Sequence, residues 1–114
     1  MKDQLFLLSP GFRNAGLGPF YCGDSVAVEG LLGFFPVLRE LVEVHYIAFA
    51  RPRAALVDLL GEAHQSAPVI VLAASSQVVD DSVEVSRAGD ARYIADEKMI
   101  RRYLSTQYDQ PIAG

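Results

Sequence analysis

The sequence predicts a single α/β domain of order βαβαββα. Three observations carry that expectation. Short β-rich apolar runs, Gln4 to Leu8, Val42 to Phe49 and Val69 to Leu72, are separated by stretches whose apolar residues recur at helical spacing. The first of those stretches leads quickly into the second run, which suits a parallel crossover. At 114 residues and 51% apolar composition the chain can bury one core and has no room for two, so residues 1–114 form one domain.

Gln4 to Leu8 is apolar throughout and closed by Ser9-Pro10-Gly11, as expected of a strand buried on both faces. Residues 10–21 hold Pro10, Gly11, Gly16, Gly18 and Pro19 and read as a loop. Gly16-Leu17-Gly18 lacks the third glycine of a dinucleotide-binding turn. The first helix is expected from about Ser25, with Val28, Leu31, Leu32 and Phe35 on its inner face and Pro36 at its end. Gly30 and Gly33 each cost on the order of 1 kcal/mol against alanine, a cost usually met where a helix presses closely on a sheet.

After the second strand, Pro52 suits the first turn of a helix whose Ala55, Leu56, Leu59 and Leu60 face inward and which stops at Gly61. Arg51 and Arg53 flank its start, either solvated or meeting an anion held there. Pro68 opens the third strand, where proline is tolerated. Residues 73–91 are long and polar, a mobile loop or a flap with room for a short hairpin near Val83 to Val85. Arg92 to Ala95 reads as an edge strand. Asp96 can cap a last helix carrying Ile100, Tyr103 and Leu104 on its inner stripe, and the tail after Tyr108 is expected to fray.

Charge and cysteine content narrow the function classes. A net charge of −4, from ten basic against fourteen acidic residues, does not supply the basic footprint of a nucleic-acid binder. One cysteine forms no internal disulfide and no four-cysteine zinc site, which fits a reducing compartment. The apolar run after Lys2 is too short for a signal-peptide core, and none approaches the roughly 18 residues of a membrane span, so the chain reads as cytoplasmic with no membrane partner. A phosphatase Cys-x5-Arg loop would need arginine where Val28 stands, and His45 and His64 show no metal-ligand spacing. His45 is expected on one face of a strand and His64 at a surface turn.

The residue with the most chemistry is Cys22, in Phe20-Tyr21-Cys22-Gly23-Asp24-Ser25, at the mouth of the first helix. There the free backbone N–H groups and the positive end of the helix dipole favour a thiolate. Asp24 beside it opposes that effect. A lone cysteine can equally be packing.

Three signatures coincide with the βαβαββα order: Cys22-x-x-Ser25, Ala67-Pro68-Val69-Ile70 entering the third strand, and Ile94-Ala95-Asp96-Glu97 leading the last helix. Together they resemble the thioredoxin-like superfamily, most closely glutaredoxins and the N-terminal domain of glutathione transferases. More narrowly the chain is similar to an uncharacterised bacterial family of small thioredoxin-like proteins that carry FYC and QSxPVxVLA. The resemblance implies a four-stranded mixed sheet flanked by helices. It implies a reactive Cys22, flanked by Tyr21, and a cis Pro68 beside the thiol, with the backbone of Ala67 offered to the thiol ligand. Ser25 stands where a resolving thiol would be, which leaves Cys22 and Ser25 as a monothiol site that either cycles through glutathione, with a small or protein thiol as partner, or binds a thiol ligand without turnover. Asp96 and Glu97 stand where the superfamily holds the γ-glutamyl group; Asp96 can accept its ammonium, while Glu97 opposes its carboxylate. Arg51 and Arg53 join the expected substrate-binding set. The alternative is a non-enzymatic module of the same fold that binds a protein or forms a homodimer, with the arginines near 51 and the 73–91 loop as its contacts.

Overall fold

A computed structural model describes residues 1–114. In chain order the elements are β1 (Gln4–Leu8), β2 (Phe12–Asn14), β3 (Leu17–Phe20), α1 (Gly23–Phe34), α2 (Leu38–Leu41) and β4 (Glu43–Ile47). They continue with α3 (Ala54–Leu60), β5 (Val69–Leu72), β6 (Ser86–Ala88), β7 (Ala91–Ile94) and α4 (Glu97–Gln107). The main sheet is mixed and has five strands in the order β4-β1-β5-β7-β6, while β2 and β3 form a separate two-stranded sheet. β1 runs parallel to β4, with Phe6 opposite His45 and Leu7 opposite Tyr46, and antiparallel to β5.

Alternation along the strands sorts the core into two layers. Leu5, Leu7, Ile70 and Ile94 meet Val28 and Leu32 of α1 and Ile100, Tyr103 and Leu104 of α4 on one face. On the other, Phe6, Val69 and Val71 meet Leu56 and Leu60 of α3. The sheet is therefore covered on both sides, which is why β1 and β5 can be apolar at nearly every position.

Several local expectations are corrected. Residues 10–21 are not simple loop: they contain the β2–β3 hairpin, turned at Ala15 and Gly16, both at positive φ, and held to the body by Phe12 stacking on Phe49 at 4.3 Å. The main sheet has five strands rather than four, because Ser86–Ala88 pairs with β7; β7 is thereby interior, and β6 is the edge. Gly30 and Gly33 do not press on the sheet, since a Cβ at either would meet open space. The long 73–91 connection is tied down rather than free. Arg92 donates to the carbonyls of Ala73 and Ser76 at 2.9 and 2.7 Å, Arg102 pairs with Asp80 at 2.7 Å, and Val83 is buried. Asp80 is held well below the usual carboxylate range, first by its hydrogen bond to Arg102 and then by Ser82. His64 is half-buried and shares a hydrogen bond with the Tyr93 hydroxyl at 3.2 Å.

A buried carboxylate closes the molecule on the α1–α4 side. Asp3 is 1% exposed, and its partners are all uncharged. One oxygen accepts from the Ala73 N–H at 2.7 Å and the Ser76 hydroxyl at 2.5 Å; the other accepts from the hydroxyls of Tyr103 and, at 3.3 Å, Tyr108. Burial, then Asp3, pushes the Tyr103 phenol far up; burial, again with Asp3, raises Tyr108 to about 12. No helix is long and apolar enough to cross a membrane.

Candidate functional site

Cys22 is the N-cap of α1, in extended backbone conformation, and its Sγ accepts from the Ser25 N–H at 3.4 Å. A helix N-terminus leaves several N–H groups without intrahelical partners, and the sulfur takes one of them. The helix therefore begins two residues before the expected Ser25, with Gly23 and Asp24 in its first turn. The thiol is half-buried and free.

Beside it lies a cavity of about 170 Å³ bounded by the end of β1, the first two turns of α1 and the edge strand β4. Tyr21, Cys22, Ser25, Val26, Glu29 and Tyr46 supply its chemistry. Tyr21 stands 66% exposed at the rim. Ser25 is almost fully buried, and its hydroxyl accepts from the Leu8 N–H at 3.1 Å, pinning the end of β1 to α1. Its oxygen is thereby a fixed strut with a backbone partner.

Glu29, Arg39 and Tyr46 close the far side and were not foreseen. The Tyr46 hydroxyl donates to Glu29 at 2.5 Å, Arg39 donates to Tyr46 at 3.1 Å, and Arg39 pairs with Glu29. Glu29 thus faces the cavity with its charge offset by a cation. A signal for it was present: Cys22, Val26 and Glu29 are spaced at i, i+4 and i+7, one face of one helix. Tyr46 lies in the expected second strand, but only the register that sets it opposite Leu7 puts it at the cavity.

Of the substrate-binding residues expected from sequence, Tyr21 joins Cys22 and Ser25 at this cavity, and the others do not line it. Arg53 is not solvated. It is 9% exposed, donates to the carbonyls of Phe49 at 2.7 Å and Gln65 at 2.8 Å, and stacks its guanidinium 5.6 Å from the Phe49 ring. Its pKa is lowered, first by burial and then by Arg51, while a negative charge on Cys22 acts the other way. Through Gln65 it braces the segment that leads to Pro68. Arg51 remains exposed. Pro52 precedes α3, whose N-cap is Arg53, rather than sitting in its first turn. Pro68 is buried just ahead of β5, Ala67 is half-buried, and the Ala67–Pro68 bond is cis, as are Gly18–Pro19 and Arg51–Pro52.

At α4, Asp96 is the N-cap, accepting from the Met99 N–H at 3.0 Å, and Glu97 pairs with Arg101 one turn on at 3.1 Å. Both acids are accounted for by the helix itself. No curated protein and no solved structure matches the chain significantly. One family model spans residues 2–112, nearly the whole sequence, and the chain belongs to that family, described as a protein of unknown function (DUF3088).

Proposed function

We propose that the chain is a thioredoxin-like domain whose Cys22 forms a reversible disulfide with a small thiol of the glutathione class. The observation that carries this reading is the thiol's position: a half-buried N-cap sulfur opening onto a cavity, where the helix terminus supplies an N–H donor. The sheet order supports the fold assignment, since β4-β1-β5-β7 combines one parallel crossover with antiparallel additions and helices on both faces. In the reaction, the Cys22 thiolate attacks one sulfur of a disulfide R–S–S–R′. The S–S bond breaks, R′S⁻ leaves with the electron pair and takes a proton from water, and Cys22 is left as Cys22–S–S–R. A second molecule of thiol attacks R's sulfur, releasing Cys22 as thiolate. No second cysteine is available to do so from within the chain.

Glu97 is paired with Arg101, so its charge bears less on a glutathione carboxylate than an isolated acid would. The test is incubation of the folded protein with glutathione disulfide, followed by intact mass and by iodoacetamide labelling. A single adduct at Cys22, reversed by reduced glutathione and absent in Cys22→Ser, is expected. A thiol that labels only after unfolding would end the proposal.

One observation favours the alternative of a homodimerising module. The outer face of α1 exposes Val26 and Phe34, the latter 84% exposed, with Gly30 and Gly33 open between them. Sedimentation equilibrium distinguishes the two, because a monomer at high concentration leaves that face without a twin.

A further inference from the structure

We propose that a second cavity, formed by α1, α4 and the C-terminal segment, binds a small amphipathic monocarboxylate. It measures about 480 Å³ and shares no residue with the cavity at Cys22. That volume falls among small-molecule sites, which run from about 300 to 1,000 Å³. Its apolar part is supplied by Leu31 and Phe35 of α1, Met99 of α4 and Ile112 of the segment after Tyr108. The segment expected to fray is thus one wall of the cavity.

The charges around the cavity select the headgroup. Lys98, Arg101 and Arg102, on consecutive turns of α4, all line it. Arg101 is paired with Glu97 and Arg102 with Asp80, whereas Lys98 makes no ion pair. Three cations against two acids leave one positive charge, in a chain whose total is −4. Two buried side-chain nitrogens in the protein lack a hydrogen-bond partner, and one of them is Arg101 Nε. That nitrogen is closed to solvent, but the Arg101 side chain as a whole is 30% exposed, so a carboxylate entering the cavity meets the accessible part of a guanidinium whose donors are incompletely used. A monoanion matches the single uncompensated charge. A phosphate dianion would bring one negative charge too many, and an uncharged lipid would leave the positive charge unmatched. The apolar floor requires that the anion carry an aliphatic or aromatic body.

The test is a titration of the full chain with octanoate and, separately, with 1-octanol, followed by amide chemical shifts. Octanoate is expected to shift Leu31, Phe35, Met99 and Ile112 and to bind about two- to fivefold more tightly than octanol, the difference a screened ion pair makes. Lys98→Gln, at an exposed and unpaired side chain, should reduce octanoate affinity about two- to fivefold and leave octanol unchanged. Ile112→Ser should weaken both ligands. Equal binding of the two ligands, indifference of octanoate to Lys98→Gln, shifts centred on Tyr21, Val26 and Tyr46, or no binding at all would each overturn the proposal.

Discussion

Replacing Asp3 by alanine removes the one acceptor group on which four donors converge. Ala73 N–H and the Tyr103 hydroxyl are buried and would be left without partners; Ser76 and Tyr108 are half-buried and can turn to water. Each buried orphan costs about 1–3 kcal/mol, so the two together cost about 2–6. Against this, the folded state no longer holds a desolvated carboxylate with no cation beside it, which returns part of the loss. The net expectation is a destabilisation of about 2–4 kcal/mol. Asp3→Asn keeps the shape and one acceptor oxygen and should cost less, under about 2 kcal/mol. Urea unfolding followed by far-ultraviolet circular dichroism reads both. With a slope near 2 kcal/mol per molar, typical of a small domain, the alanine midpoint falls by roughly 1–2 M. An alanine variant within about 0.5 kcal/mol of the parent, or an asparagine variant worse than the alanine, would refute the reasoning.

Two further outcomes follow from the geometry. Because the folded-state pKa values of Tyr103 and Tyr108 lie above the ordinary phenol value near 10, the stability they contribute is whole below that pH and is lost as pH rises, through about 12 for Tyr108. Phenolate absorbance of the five tyrosines should accordingly show Tyr103 and Tyr108 ionising late, with unfolding, and five phenols titrating together in the folded state would contradict it. Gly30→Ala and Gly33→Ala should each raise stability by about 0.5–1 kcal/mol in thermal unfolding, since both lie in a helix with open space at Cβ; a loss would mean that this face of α1 is covered in solution.

The elements with strong local patterns were legible from sequence. β1 and β5 match the expected runs residue for residue, and β4 lies within its expected run. Asp96 caps α4 and Gly61 ends α3 as their types suggest. The hairpin was hidden because its residues carry no alternation: Leu17 to Phe20 are all exposed, and what fixes them is a stack on Phe49, thirty-seven positions beyond Phe12. β6 carries a single apolar residue, Ala88, and exists because β7 offers it a partner. At the candidate site, Cys22 could be placed from helix-start chemistry alone, whereas Tyr21 entered only through the resemblance. Ser25 could be placed but not interpreted, since its role depends on the Leu8 N–H. Arg53 and Asp3 were read wrongly or passed over for one reason: a charged residue looks solvated in sequence, and only the assembled fold shows the carbonyls or hydroxyls that meet it.

The Asp3 cluster also bears on how the chain is made. Asp3 leaves the ribosome long before two of its hydroxyl partners, which stand 100 and 105 positions later. Until α4 is synthesised, β1 can enter a core only by carrying a carboxylate into it without Tyr103 or Tyr108, so early burial of this strand is disfavoured throughout translation. Completion of the last helix is then the event that lets the first strand settle, and a nascent chain stalled before residue 103 should remain open to protease where the finished protein is closed.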